Sequence, residues 1–220
     1  MENFKPEKRN SNQEKEALWN KIALQAEYIR DGLGKGIDAG IKETVISFMV
    51  NGIVTKGSCE GHLDRGRLYP YIHIDSSPKE ELRNRSQLLR KRMEENGYSD
   101  IESVPITDKD LYEEIQTILN EYNIYKEEIN SKIKLLLENF YSHHQPITNE
   151  SMLTVWKGGA FFEVSPVSGA GVGLENWEKF KQKEKEMSLE ERKAYLENSQ
   201  AEMKSFTGFL KDRFFNDNEV

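Results

Sequence analysis

The chain's one cysteine, Cys59, shares the stretch TKGSCEGHLDRGRLYPYIHI (residues 55–74) with His62 and His73 and with Glu60, Asp64, Arg65 and Arg67. Three chemistries compete for these residues. In the first, Cys59 is a nucleophile, His62 its base and Asp64 or Glu60 the acid that orients the imidazole; this needs the sulfur within hydrogen-bond reach of the ring. In the second, Cys59, His62 and His73 ligate a metal together with Asp64, Asp75 or a histidine of the pair His143–His144. Structural zinc sites usually draw on several cysteines, so no metal is favoured. In the third, Cys59 is a small buried hydrophobe with solvated neighbours.

The same loop could receive an anion. Ser58 could cap a short helical turn through Gly61, whose free amides would attract negative charge and lower the thiol pKa. His62, Arg65 and Arg67 would add to that effect. Ser58, Glu60, Arg65, Arg67 and His73 are therefore the candidate ligand-binding residues, and Cys59, His62 and Asp64 the candidate catalytic ones.

Two short strands must hold the loop. IVTKG (53–57) precedes it, and YPYIHID (69–75) follows, with Ile72 and Ile74 on one face and Tyr71, His73 and Asp75 on the other. Upstream, Leu18, Ile22, Ala26 and Ile29 recur at helical spacing. Asp38 is placed to cap a helix that buries Ile41, Val45, Phe48 and Met49 and ends at Asn51-Gly52. Ser77 and Pro78 read as the cap and first residue of a third helix closed by Gly97. From 108 to 141, Leu111, Ile115, Ile118, Tyr122, Tyr125 and Ile129 form a heptad seam, which Ile133, Leu136 and Phe140 continue after a stutter. MLTVW and AFFEVSP flank Lys157-Gly158-Gly159 as a hairpin whose glycines would take positive φ. Helices are expected over 174–186 and 188–214; Ser188 and Glu191 match a capping box on the second, the natural antiparallel partner of 108–141.

The fold class expected is α+β: a small antiparallel sheet of about four strands covered by helices, with a long carboxy-terminal helical pair. Residues 1–11 read as a disordered tail, 12–168 as the α+β domain, and 169–220 as a helical extension packing on the long helix.

Apolar residues make up 36% of the 220 and charged residues 31%. The core should therefore be modest and much helix surface wet. A net charge of −7 argues against nucleic acid and anionic membranes as partners. One cysteine allows no internal disulfide, which fits a reducing cytoplasm. The start MENFKPEKRNSNQEKE has no apolar core for a signal peptide, and no run nears the ~20 apolar residues of a membrane span.

The segment GIDAGIKETVISFMVNGIVTKGSCEGHLDRGRLYPYIHI resembles small bacterial and phage proteins with a helix, a strand, a Ser-Cys-Glu-Gly-His loop and a Pro-Tyr-Ile strand. That resemblance covers residues 37–75 and implies that the loop, Ser58 to His62, is the group's common feature. A fainter similarity runs to wybutosine-synthesis tRNA methyltransferases of the TYW-three type, with their Ser-Cys-Ser-Gly-Arg loop and Lys-Gly-Gly turn. Here Glu60 and His62 replace the serine and arginine, which weakens phosphate or RNA contact.

Elsewhere, EVSPVSGAGVG lacks the third glycine position of a dinucleotide fingerprint and too little chain follows for a doubly wound domain, so it reads as a hinge. Arg83, Arg85, Arg90, Lys91 and Arg92 are balanced by Glu80, Glu81, Glu94 and Glu95 as a solvated helix face. His143 and His144 suit the negative end of a helix dipole. Trp156 and Trp177 read as packing residues. The function expected is a loop at 58–67 that binds a small anionic ligand or performs thiol chemistry, with the cofactor unknown. The alternatives are a helical interaction module, dimerising through 108–141 and 188–214, and an RNA-modification protein.

Overall fold

The computed structural model describes residues 11–30, 34–169 and 174–216. Ser11 opens the first helix; the rest of the expected tail and residues 170–173, the end of the expected hinge EVSPVSGAGVG, lie outside the described residues. The chain divides into two compact units, Met1–Asp75 with Lys134–Val220, and Ser76–Ile133. The segment 169–220, expected as an extension, thus belongs to the unit that holds the sheet.

Four antiparallel strands in the order β1-β2-β4-β3 build the first unit: β1 Thr55–Cys59, β2 Tyr71–Asp75, β3 Leu153–Lys157 and β4 Phe161–Pro166. Gly158 and Gly159 turn the β3–β4 hairpin without positive φ, contrary to expectation. Alternation along β2 divides the sheet. Ile72 pairs with Val164 and Ile74 with Phe162, all buried on the apolar face. His73 pairs with Gly57 on one side and Glu163 on the other, and Tyr71 with Cys59, so these share the opposite face.

α1 (Ser11–Ala26), α2 (Ala39–Val50) and α6 (Leu189–Asn216) complete this core. Phe48 of α2 meets Phe206 of α6 edge-on at 5.9 Å, and the Thr44 and Thr207 hydroxyls pair at 2.7 Å between the same helices. Ala26, Ile46, Val50 and Phe214 join α1 to both. α2 has no side-chain cap, a loss of about 1 kcal/mol, but each of its buried Ile41, Val45 and Phe48 contributes about 1.5–3 kcal/mol, so packing decides the helix. α6 does begin with the expected capping box: the Ser188 amide donates to Glu191 Oε2 at 2.7 Å and the Glu191 amide to Ser188 Oγ at 3.2 Å. α5 (Leu174–Glu186) places Phe180 against Tyr69 at 5.0 Å.

α4 (Lys109–Tyr141) runs through both units. Its last turns pack on α6: Phe140 lies 5.2 Å from Phe206, and Tyr141 Oη donates to the fully buried Glu202 at 2.9 Å while accepting the Leu153 amide. Within the second unit, Leu111, Ile115 and Ile118 of α4 pack on Leu82, Leu89 and Met93 of α3 (Glu80–Glu95). The expected lengthwise pairing of 108–141 with 188–214 is therefore replaced by two successive partners. A seam records that a neighbour exists and not which one. α3 starts two residues later than expected: Lys79 occupies the cap position, without a side-chain bond, in place of Ser77. Arg90 pairs with Glu94 and Lys91 with Glu95 as expected, whereas Arg85 pairs with Glu121 of α4 and not with an acid of its own helix. No helix among the described residues is long and apolar enough to cross a membrane.

Candidate functional site

β1 runs two residues further than expected, so Ser58 and Cys59 are strand residues and no helical turn caps at Ser58. The chain leaves the sheet at Glu60. Gly61 then takes φ +83°, and a Cβ there would lie 2.7 Å from the Tyr69 carbonyl carbon and 2.8 Å from a Leu196 methyl. Only glycine turns the chain in that space. The loop closes on itself through the His62 amide and the Arg67 carbonyl, 2.8 Å apart. Helical side chains hold it from outside: Gln200 donates to the Glu60 carbonyl at 3.0 Å and Arg192 to the Leu63 carbonyl at 2.7 Å.

Asp38 is the residue whose role the sequence concealed. It precedes α2 but makes no cap bond. Its Oδ2 instead lies 3.3 Å from His62 Nε2 and accepts the Glu60 amide at 3.4 Å. Glu60 supplies the missing helix-end partner, taking the Gly40 amide on Oε2 at 2.7 Å. The two carboxylates thus exchange places: the helix's own acid reaches the strand end, and the strand end's acid reaches the helix. An added Cβ at Gly40 would meet Glu60 Oε2 at 2.6 Å. The other Glu60 oxygen stands 4.0 Å from His62 Nδ1. One donor atom each from Asp38, Cys59 and His62 then lie within 4.8 Å of one another.

The thiol is not activated as expected. Burial pushes its pKa up, the Gly61 amide donating to Sγ at 3.4 Å works against this, and the Asp38 and Glu60 charges push it further up. The expectation counted the loop's cations. The half-buried sulfur faces its acids instead, and the favourable charge of Arg67 is the weakest influence.

Arg67 and His73 belong to a second constellation. Glu163, fully buried on β4, accepts from Arg67 on Oε2 at 2.6 Å, has His73 Nε2 at 3.0 Å on the same oxygen, and accepts from Ser165 Oγ on Oε1 at 2.9 Å. Burial alone would raise the Glu163 pKa; the bond to His73 and the charge and bond of Arg67 outweigh it and hold the carboxyl below its ordinary value. Arg67 lies 4.4 Å from the Tyr71 ring and 5.4 Å from Trp177, and His73 is stacked between Tyr71 at 4.6 Å and Phe161 at 4.2 Å. Both side chains are committed to an internal carboxylate. Glu163 was visible in the sequence as the one charge inside AFFEVSP, but its partners were not.

Asp64 and Arg65 stand exposed, and among the described residues the structure joins neither to Cys59 or His62. His143 and His144 end α4, where His144 Nε2 is 3.3 Å from Glu202.

No family model, curated protein or solved structure matches the chain. The chemistry of the cluster therefore rests on its own geometry. A thiol, an imidazole and a carboxylate converge from three separate points of the backbone, in a loop fixed on both sides.

Proposed function

We propose that Asp38, Cys59 and His62 bind a zinc-class divalent cation, and that the protein uses it as a Lewis acid on a small ligand. The convergence of the three donor atoms within 4.8 Å carries this proposal. Ligands held at ~2.0–2.1 Å from a tetrahedral ion lie about 3.3 Å apart. The Asp38 Oδ2–His62 Nε2 separation is 3.3 Å. A sulfur at ~2.3 Å would lie about 3.6 Å from either, so the thiolate draws in by about 1 Å at most.

The acids that raise the thiol pKa support the same reading, because negative charge around a sulfur opposes a thiolate but favours a cation. Glu60 Oε1 lies 4.0 Å from His62 Nδ1, and moving in by about 1 Å would let it accept the ring N–H and orient a metal-bound imidazole. Three protein ligands leave a fourth position, as in catalytic rather than structural zinc sites. When bound, the ion would polarise an oxygen of the ligand or a water in that position.

Cobalt titration of the metal-free protein tests this. One equivalent of Co(II) should bind with a sulfur-to-cobalt charge-transfer band. Cys59→Ser should abolish the band, His62→Ala should weaken binding about 100-fold, and Asp64→Ala should change neither. Absence of stoichiometric binding, or a band surviving Cys59→Ser, would defeat the proposal.

A further inference from the structure

Next to Asp38 a cleft of about 160 Å³ opens between β1, Val45 of α2 and the residues Ile29, Arg30 and 35–38. It is well under the ~300–1,000 Å³ of sites for drug-sized ligands, and suits a single small group. Arg30 and Lys56 line it, Asp38 is the one acid among the described lining residues, and Ser58 and the backbone of Gly57 lie on the strand side. The Arg30 guanidinium donates to the Glu27 and Ile29 carbonyls at 2.6 and 2.8 Å, neutral groups that fix the head and leave its charge in place. Gly36 keeps that head uncovered: an added Cβ would sit 3.4 Å from its nitrogen. Ser58 is the neighbour of Cys59 along the strand, and Asp38 belongs to both the cleft and the proposed metal site.

We infer that this cleft seats a phosphate-class oxyanion, so that the ligand acted on at Asp38, Cys59 and His62 carries a phosphate group held by Arg30 and Lys56. As a statement about substrate class this rests on the metal site proposed above; the cleft's affinity for the anion does not. Two cations, Arg30 and Lys56, match the double charge of a phosphate, and a planar guanidinium suits its oxygens. The overall negative charge of the chain makes this local reversal more selective, since anions without a fitted site are repelled.

The test is calorimetric titration of inorganic phosphate into the full chain, in phosphate-free buffer at fixed ionic strength. It is run on metal-free and on cobalt-loaded protein, with Arg30→Gln, Lys56→Gln and the remote Lys211→Gln as variants. Saturable binding should fall about 10-fold in Arg30→Gln, the size of one lost charged hydrogen bond, and several-fold in Lys56→Gln, with Lys211→Gln unchanged. Lys56 is exposed, so its variant keeps the test open should Arg30→Gln fold poorly. Phosphate should also perturb the cobalt spectrum. No saturable binding, or an equal loss in all three variants, overturns the inference. Arg30-dependent binding to a protein that takes up no metal would uphold the cleft and defeat the metal site. Metal uptake without phosphate binding would do the reverse.

Discussion

Replacing Gly61 by alanine should damage the fold far more than the same change at Gly66, five residues along the same loop. Both glycines have positive φ, +83° and +64°. A side chain in that region costs about 1–2 kcal/mol at either position. At Gly66 an added Cβ meets nothing within 4 Å, so the cost ends there. At Gly61 it would lie 2.7 Å from the Tyr69 carbonyl carbon, 3.0 Å from the Pro70 nitrogen and 2.8 Å from Leu196 Cδ1. Two of those atoms are backbone and cannot rotate away; overpacking of this kind adds about 1–3 kcal/mol. The expected losses are therefore about 1–2 kcal/mol for Gly66→Ala and about 2–5 kcal/mol for Gly61→Ala. With a urea slope of ~2 kcal/mol/M, the midpoints should fall by roughly 0.5–1 M and 1–2.5 M. All three tryptophans, Trp19, Trp156 and Trp177, belong to the unit that contains the loop, so intrinsic fluorescence reads that unit directly. Gly61→Ala should also weaken cobalt binding, because the shifted backbone carries Cys59 and His62. Equal midpoint shifts in the two variants would refute the claim that close packing against residues 69 and 70 fixes this turn.

Glu163 has a folded pKa below its unfolded one, so between the two the unfolded chain binds more protons and stability rises with pH. Its contribution is complete above the ordinary carboxylate value and is lost as pH falls through the lowered one; Glu163→Gln should flatten the acid limb of a stability–pH curve, and an unchanged limb would count against the buried ion pair. Alkylation of Cys59 should show a midpoint above the ~8.5 of a free thiol, given its raised pKa, and zinc should suppress the reaction. Below that midpoint zinc affinity should rise about tenfold per pH unit, as one proton leaves the sulfur; a flat profile would show that the thiol is not a ligand. Ser188→Ala removes the hydroxyl from the capping box and should cost about 1 kcal/mol in urea unfolding, with Glu191→Gln smaller.

Periodicity made the elements legible. The alternation of Ile72 and Ile74 with Tyr71 and His73 named both the strand and its two faces. Spacing placed α5 at 174–186, and Ser188 with Glu191 marked the start of α6. The site was legible as a loop and not as a set of partners. Cys59 and His62 stand three positions apart, but the carboxylate that meets them, Asp38, comes from the far side of α2. A residue before a helix is expected to cap it, and nothing local says that Glu60 will do so instead. Arg67 and His73 looked like ligand contacts because their anion, Glu163, lies on a strand about a hundred residues away. The direction of the thiol shift followed the same pattern. Counting cations along the loop put His62, Arg65 and Arg67 beside the sulfur and left out the charges of Asp38 and Glu60, which oppose the thiolate more than Arg67 favours it. Fold class depends on local pattern, while a site depends on which distant segments meet.

The register shift in β1 between Thr55 and Gly57 places Lys56 out of step with the ladder on an outer strand of the sheet. An outer strand is a template on which a second chain can polymerise. An irregular step carrying an ammonium group spoils that template twice, by breaking the spacing of the amides and by demanding water. The lysine that helps to line the anion cleft is thus also placed to discourage edge-to-edge association. Its loss should show as raised light scattering relative to Lys211→Gln only at concentrations far above those of a binding titration, where both variants stay dispersed.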